Sequence, residues 1–242
     1  MSNFESIETD KIGFLDIGNS SIKLGIRKEE HWEIQTFVLP NELIVVLLSK
    51  GIEYLIVSNV RPSIDWLEKL SEHFSIAVLE TDDIPSNRLR YATPETLGMD
   101  RYLACLGAWS LFQTSVVVMD AGSACTIDFM DEDGVYHGGV IMPGIQTLLG
   151  VFHKSAPGLP RFDFSIPHIF PGSSSQDSLQ WGLSQLFLDG VNSNLNRFDD
   201  QIGKYQLVVT GGDAGILSEV LNRELIVQPD LIFIGMEAFL EA

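Results

Sequence analysis

Two segments of the chain share a pattern of residue types that could bind phosphate groups. Residues 16–23 (DIGNSSIK) and residues 120–128 (DAGSACTID) each follow an apolar run and begin with an aspartate and a glycine turn that carries a hydroxyl residue. An aspartate can hold a cation, and glycine lets backbone amides approach phosphate oxygens closely. The repeated pattern predicts two β-hairpin tips that suit the two sides of a nucleotide-phosphate cleft. Neither segment is a Walker loop or a dinucleotide-binding GxGxxG motif.

The charge and the cysteine content limit the partners that the chain can have. Its 242 residues carry a formal net charge of −18, which repels nucleic acid and anionic membrane surfaces, so neither is an expected partner. The cysteines, Cys105 and Cys125, show no paired spacing, which argues against a disulfide scaffold or structural zinc and fits a reducing cytoplasm. No apolar run reaches the roughly 18 residues that a membrane helix needs. We therefore expect a soluble cytoplasmic protein.

The hydrophobic pattern predicts two similar halves built of strands and helices. In the first half, strands are expected at residues 11–24, 32–38, 54–58 and 75–79, and helices at 41–49 and 63–73. A helix is expected at 100–112, followed by strands within 116–130, 135–141 and 206–210. Residues 230–235 either close the second sheet or begin a final helix. We predict an α/β fold of two lobes, residues 1–112 and 113–242, each a mixed sheet flanked by helices.

Four segments together resemble the type III pantothenate kinases, which belong to the superfamily of acetate and sugar kinases, Hsp70 and actin. The segments are residues 16–23, 91–101, 120–123 and 210–214. The resemblance covers most of the chain, and it rests on the set, because each segment alone is a weak signal. It implies two actin-like (ribonuclease H-like) lobes with the nucleotide cleft between them.

The resemblance assigns the two aspartate-glycine segments to the phosphates of ATP. In the family, the aspartate of the first segment lies near the metal, and the aspartate of the second binds a monovalent cation. ATP, Mg²⁺ and a monovalent cation (K⁺ or NH₄⁺) are therefore the expected cofactors, with Asp120 as the ligand of the monovalent cation. The family ordinarily has threonine at both hydroxyl positions, where this chain has serine. The expected ATP-binding residues are Asp16, Ile17, Gly18, Asn19, Ser20, Ser21, Ile22, Lys23, Gly122 and Ser123.

Residues 91–101 resemble the substrate motif of the family, which ends in Gly-x-Asp-Arg. Pantothenate has a carboxylate at one end and a primary hydroxyl at the other. Arg101 offers a planar fork of donors that suits the carboxylate, and Asp100 can accept the proton of the hydroxyl as it attacks the γ-phosphorus. The resemblance makes Asp100 the expected catalytic base. The expected pantothenate contacts are Tyr91, Gly98, Met99, Arg101 and Ser175.

The predicted function is ATP-dependent phosphorylation of pantothenate to 4′-phosphopantothenate, the first step of coenzyme A biosynthesis. The resemblance also implies a homodimer whose substrate site is completed near the interface. Two alternatives stay open. Residues 174–175 are Ser-Ser where the family usually has Asn-Thr, which would suit a kinase for a different small hydroxylated acid. The same fold could also serve an accessory or regulatory protein, and the role of Asp128 is left open.

Overall fold

The computed structural model describes residues 9–29, 31–38, 40–61 and 65–241, which form two compact units. The first unit contains the residues up to Thr114, Met130–Gly138 and the residues from Asp230 onward. The second unit contains Ser115–Phe129 and Gly139–Pro229. Each unit is therefore built from separate stretches of sequence, and the division into continuous lobes at residues 1–112 and 113–242 stays a prediction.

The predicted strands and helices occur in the predicted order, together with elements that were not predicted. In chain order, the strands are β1 (Ile12–Ile17), β2 (Ile22–Arg27), β3 (Trp32–Phe37), β4 (Tyr54–Asn59), β5 (Ser75–Val78), β6 (Val116–Ala121), β7 (Ala124–Met130), β8 (Tyr136–Pro143), β9 (Gln206–Thr210) and β10 (Ile226–Val227). The helices are α1 (Pro40–Ser49), α2 (Asp65–Ser71), α3 (Met99–Phe112), α4 (Ile145–Leu149), α5 (Phe152–Ser155), α6 (Ser175–Ile202), α7 (Ala214–Val220) and α8 (Leu231–Glu241). The predicted helix over 63–73 is confirmed for α2, while residues 63 and 64 lie outside the described residues.

The strands of the first unit form a mixed sheet in the order β3-β2-β1-β4-β5. β1 is antiparallel to β2 and parallel to β4. All six residues of β1 are buried, and so are the four central residues of β4, as expected for strands that are covered on both faces. The end of β1, which carries Asp16, lies directly beside the end of β4.

The second sheet has the order β10-β9-β6-β7-β8, with β6 parallel to β9 and β9 parallel to β10. Helix α6 packs on the core of this unit through apolar residues that recur every three or four positions, as expected for one buried face. These residues are Leu183, Phe187, Leu188, Val191 and Leu195. Strand β10 was not predicted, because two residues are too few to show an alternating pattern.

Helix α8 approaches α3 closely within the first unit, through a glycine on each helix. A Cβ at Gly107 of α3 would overlap the carbonyl oxygen of Leu231. A Cβ at Gly235 of α8 would overlap the carbonyl oxygen of Leu103. The two backbones therefore meet at a distance that only glycine permits.

Phe233, near the start of α8, covers the sheet of the first unit. Its ring packs directly over Gly25 of β2, where a Cβ would lie only 2.6 Å from the ring. The ring also stacks on Trp32 of β3, with 5.5 Å between the ring centroids. Residues 230–235 therefore begin a helix, because their apolar side chains are buried on α3 and on this sheet. Although α8 is strongly apolar, it has 11 residues, and no helix in the described part of the chain is long and apolar enough to cross a membrane.

Candidate active site

Asp16 is anchored near the end of β1 in the first unit, between two neighbouring strands. It pairs with Lys23 of β2 on one side and with Ser58 of β4 on the other. Asp16 is buried, with 8% relative exposure, and the ammonium of Lys23 lies 4.0 Å from its Oδ2 atom. The lysine offsets the cost of taking a carboxylate out of water. The pair therefore holds one acidic and one basic group at the base of the first phosphate turn.

The turn that follows presents its backbone and its polar side chains to solvent. Asn19 and Ser20 are exposed, whereas Ile17 and Ile22 on either side of the turn are fully buried. Any contact of the two isoleucines with a ligand would therefore be made by their backbone. A Cβ at Gly18 would have one neighbouring atom within 4 Å, at 3.6 Å, so the turn leaves open space beside this residue.

The substrate motif begins helix α3 and places Asp100 in the first turn of that helix. The Oδ1 atom of Asp100 accepts a hydrogen bond of 2.9 Å from the backbone N–H of Arg101. A Cβ at Gly98 would lie 2.5 Å from the same oxygen, which is closer than real side chains approach. The N–H of Arg101 therefore orients the Asp100 carboxylate, and glycine at position 98 leaves the space that the carboxylate occupies.

Arg101 is a buried cation, and its guanidinium lies next to Tyr91. Nη1 of Arg101 donates to the Tyr91 hydroxyl at 3.5 Å, and the guanidinium carbon lies 6.0 Å from the centre of the tyrosine ring. Tyr91 in turn packs against Gly138, where a Cβ would be 3.0 Å from the ring. A guanidinium held in one direction suits a planar carboxylate. The structure thus brings these two predicted substrate residues together.

An open cavity of about 550 Å³ lies in the first unit beside the substrate motif. Three stretches line it: residues 59–61 after β4, residues 78–82 after β5, and residues 95–99 before α3. Its volume is within the usual range for small-molecule sites. Of the predicted substrate residues, Gly98 and Met99 line this cavity.

In the second unit, Asp120 lies near the end of β6, close to a glycine on the neighbouring chain segment. Gly211 follows β9, which is parallel to β6, and has a φ of +92°. A Cβ at Gly211 would lie 2.5 Å from Oδ1 of Asp120 and 2.5 Å from the carbonyl oxygen of Ala121. The backbone N–H of Asp213 donates to that carbonyl at 3.0 Å. Residues 210–214 therefore pack on the second phosphate motif, and only glycine fits at position 211.

The backbone carbonyl of Ser123 fixes the tip of the second turn. It accepts hydrogen bonds from the N–H of Gly144 at 3.0 Å and from the hydroxyl of Thr147 at 2.6 Å. The N–H of Gly122 donates within the turn, to the carbonyl of Ala124 at 3.0 Å. The Gly122 amide is thus already bonded to protein, whereas Ser123 is exposed.

Cys125 in the second unit is buried, and three aspartates are near enough for their charges to affect its thiol. Burial is the main reason that the pKa of the Cys125 thiol rises to about 12, and nearby charges add to the effect. Those charges are, in decreasing order, Asp120, Asp213 and Asp128. Burial also raises the pKa of Asp213 above its ordinary value. A cation at Asp120 would offset this negative charge, so the residues present fit a monovalent-cation site.

The described residues contain no cluster of metal-binding side chains. Among the described residues, no three His, Cys, Asp or Glu side chains lie close enough together to hold a metal ion. The candidate cation ligands are therefore the single aspartates of the two turns, Asp16 and Asp120, joined by oxygens from the backbone or from a bound ligand.

Ser175 is the first residue of α6 in the second unit and is exposed. The residue before it, Ser174, caps the helix, because its hydroxyl oxygen accepts a hydrogen bond of 3.1 Å from the N–H of Asp177. Serine is a preferred residue at this position, since it satisfies one of the unbonded amides of the first helical turn. The structure therefore gives Ser174 a structural role, and the contact of Ser175 with substrate stays a prediction.

The end of β4 was not predicted to be part of the site. Asn59 and Arg61 line the cavity, and Ser58 lies beside Asp16. The Ser58 hydroxyl is fully buried and has no hydrogen-bond partner within the described residues. A usable signal was present, because ligands of α/β proteins bind at the carboxyl ends of parallel strands, and β4 reads as a buried strand that ends in polar residues.

Two solved structures share the fold over nearly the whole chain. A conserved protein of the Baf family of transcriptional activators from Campylobacter jejuni is 24% identical, with a TM-score of 0.65 over 95% of this chain and 97% of that one. A 2-dehydro-3-deoxygalactonokinase protein from Sinorhizobium meliloti is 12% identical, with a TM-score of 0.58 over 94% and 97%. These likenesses concern the fold alone. With two mixed sheets flanked by helices and an aspartate-glycine turn in each unit, the chain has the fold of the actin-like kinases, as predicted.

The family follows from sequence comparison. The sequence model described as type III pantothenate kinase matches residues 14–197. The chain is similar to type III pantothenate kinases from Flavobacterium johnsoniae, at 27% identity over 87% of this chain and 89% of the relative, and from Bacillus cytotoxicus, at 29% over 92% of each. A relative from Porphyromonas gingivalis is 33% identical over 64% of each chain. The chain belongs to the type III pantothenate kinase family, and it is therefore a kinase that uses ATP.

Proposed function

We propose that this chain transfers the γ-phosphoryl group of ATP to the primary hydroxyl of pantothenate, in the first step of coenzyme A biosynthesis. Membership of the family supports the reaction, and the predicted activity is thereby confirmed. The assignment of roles to individual residues is our proposal. The main observation behind these roles is that Asp100 and Arg101 are adjacent at the start of α3. The backbone N–H of Arg101 bonds the Asp100 carboxylate, and Arg101 itself is buried.

In the proposed mechanism, Asp100 removes the proton from the attacking hydroxyl. Its carboxylate is oriented by the N–H of Arg101 and by the absence of a side chain at Gly98. Arg101 and Tyr91 bind the carboxylate end of pantothenate, which leaves the hydroxyl end to approach Asp100. Phosphoryl transfer depends on positioning and on charge balance more than on covalent chemistry. Removal of the hydroxyl proton and binding of the carboxylate are therefore the main functions that the protein must provide for pantothenate.

On the ATP side, we assign the phosphates to the two aspartate-glycine turns. Residues 16–23 would supply backbone amides and the Lys23 ammonium, and the second turn would contribute the Ser123 hydroxyl. Asp16 would hold Mg²⁺, which neutralises phosphate charge when it is bound, and Asp120 would hold the monovalent cation. The negative surroundings of Asp120 and the close approach of Gly211 support the second assignment.

The family resemblance also supports two wider proposals, a homodimer and a cytoplasmic location. Ser175 is exposed at the start of α6, and its contact with the substrate remains part of the proposal. Sedimentation equilibrium at micromolar concentration should give a mass near twice the 26.8 kDa of one chain. A single species at the monomer mass would remove the dimer from the proposal.

A coupled assay of ADP release tests the reaction and the cation together. We expect release that requires pantothenate, ATP and Mg²⁺, and that is stimulated by KCl but not by NaCl at the same ionic strength. ADP release that requires another hydroxylated acid instead of pantothenate would show that the chain is a kinase with a different acceptor substrate. Stimulation by both salts equally would contradict a selective site at Asp120.

A further inference from the structure

Arg61 follows strand β4 and has a rigidly held backbone. The side-chain oxygen of Asn59 accepts from the N–H of Arg61 at 2.8 Å, and the side-chain amide of Asn59 donates to the carbonyl of Arg61 at 3.0 Å. The intervening Val60 donates its N–H to the carbonyl of Ile17 on β1, at 3.2 Å. The segment is therefore tied to the strand that leads into the first phosphate turn.

The side chain of Arg61 reaches into that turn. Its Nε donates to the carbonyl of Gly18 at 2.8 Å, across 43 positions of sequence. The residue is half-buried, and its outer nitrogens, Nη1 and Nη2, have no hydrogen-bond partner in the part of the chain that the structure describes. A guanidinium carries five N–H donors, so four of them remain for a ligand.

The same side chain borders the substrate motif. Arg61 lines the cavity of about 550 Å³ together with Gly98 and Met99, and Val60 lies 3.8 Å from the position of a Cβ at Gly98. The charged residues that line the cavity besides Arg61 are acidic: Glu80, Asp82 and Glu95. Arg61 is a cation between the phosphate turn and the substrate motif, and it forms no ion pair with any described residue.

We propose that Arg61 is a further nucleotide-binding residue of this kinase, which holds the Gly18 carbonyl through Nε and binds the γ-phosphate of ATP through its outer nitrogens. The proposal rests on the assignment of residues 16–23 to the ATP phosphates. The γ-phosphate must lie between that turn and the acceptor hydroxyl, and Arg61 borders both. Arginine suits this position because its planar fork binds phosphate oxygens in pairs, while its Nε stays bonded to the turn. The Lys23 ammonium already lies near Asp16, so Arg61 would supply a second positive charge.

Calorimetric binding of two nucleotides separates contact with the γ-phosphate from a role in the shape of the turn. The probes are Mg²⁺-ADP and the Mg²⁺ complex of a non-hydrolysable β,γ-imido analogue of ATP, with no pantothenate present. Arg61→Gln should lower the affinity for the ATP analogue by about 10- to 100-fold, as expected for lost hydrogen bonds to a charged group, while affinity for ADP changes less than about threefold. Arg197→Gln is the matched control, because it removes the same charge from an exposed position on α6 and should leave both affinities unchanged.

The Arg61→Lys variant keeps the charge but cannot keep both the Gly18 bond and a paired contact with phosphate. We expect it to retain part of the preference for the ATP analogue, and it provides a second test if Arg61→Gln does not fold, as judged by circular dichroism.

Equal losses for both nucleotides would show that Arg61 only shapes the turn. No loss for either would remove Arg61 from the nucleotide site. Since pantothenate is absent, a different acceptor substrate would not affect these results, whereas failure of the unaltered protein to bind either nucleotide would overturn the ATP assignment of the turn itself.

Discussion

The Oδ1 atom of Asp100 occupies the space into which a side chain at Gly98 would project, with only 2.5 Å between that oxygen and the position of a Cβ. The glycine lies just before α3, and the aspartate is the second residue of that helix. Glycine at position 98 therefore leaves the space that the carboxylate two positions later occupies. This relationship makes the catalytic role of Asp100 testable without changing the aspartate.

We predict that Gly98→Ala lowers kcat by about 10- to 100-fold, because a displacement of about 1 Å in a catalytic group is enough for such a loss. The KM for ATP should change little, since the ATP turns are not touched. The matched control is Gly158→Ala, where a Cβ would have no neighbour within 4 Å. Steady-state kinetics of both variants would decide the matter, and an unchanged kcat in Gly98→Ala would show that Asp100 can move without consequence.

Replacement of the proposed base should stop catalysis but spare ATP binding. We predict that Asp100→Asn lowers kcat by about 10²- to 10⁴-fold, the usual contribution of a general base, because the amide cannot take up the proton. Asp200→Asn, an exposed position near the end of α6, is the control for the loss of one negative charge. Turnover is measured by ADP release and binding by calorimetry. A variant that kept its turnover would remove Asp100 from the mechanism.

The cation site can be tested through two glycines that both have a positive φ. Gly211 and Gly203 have φ values of +92° and +84°, so alanine at either position strains the backbone by about 1–3 kcal/mol. Only at Gly211 would the added Cβ also meet Asp120, because Gly203 has no neighbour within 4 Å of that position. We predict that Gly211→Ala abolishes the stimulation by K⁺, whereas Gly203→Ala loses only stability. Rates across a KCl series measure the effect, and equal stimulation in both variants would argue against Asp120 as the cation ligand.

The buried hydroxyl of Ser58 should be dispensable for stability. It has no hydrogen-bond partner among the described residues, so Ser58→Ala removes a desolvated polar group and should raise the free energy of unfolding by about 1 kcal/mol. Ser174→Ala is the contrasting variant, because that hydroxyl oxygen accepts a hydrogen bond of 3.1 Å from the N–H of Asp177, and loss of this helix cap should cost about 1 kcal/mol. Urea denaturation provides both values. A marked loss of stability in Ser58→Ala would mean that the hydroxyl has a partner in solution, such as a bound water.

Cys125 should make stability fall at alkaline pH. Its pKa is raised from the ordinary 9.0 to about 12, so between these values the unfolded thiol releases its proton while the folded thiol keeps it. The contribution to stability is therefore complete below pH 9 and declines towards pH 12, by up to about 1.4 kcal/mol per pH unit. We predict a shallower decline for Cys125→Ala, measured by urea denaturation at several pH values. Burial also raises the pKa of Tyr102 to about 12, which should leave a residual decline in the variant. Identical slopes in the two proteins would exclude Cys125 as a source.

Local sequence signals were sufficient for most elements of the fold. The strand at 206–210 and the helix at 100–112 agree with β9 and α3 because each carries its own pattern, an apolar run or a repeat of three to four residues. The contact between Tyr91 and Arg101 was also predictable from the sequence, since both residues lie in one motif of 11 residues.

The parts that the sequence did not reveal depend on contacts between distant residues. The bond from Arg61 to Gly18 spans 43 positions, and nothing in the residues 59–61 indicates which strand lies beside them. The choice between strand and helix at 230–235 was likewise decided by Gly107 and Gly235, which let α8 lie against α3. Local patterns describe single elements, whereas a site at the ends of several strands requires their order in the sheet.

The packing of α8 on α3 has a consequence for folding during synthesis on the ribosome. The substrate motif and the first phosphate turn belong to a unit whose core is completed by residues from Asp230 onward. The face of α3 around Gly107 therefore stays uncovered until the residues of α8 have been synthesised. A nascent chain arrested before Asp230 should be sensitive to proteases at this face, and release of the last helix should protect it.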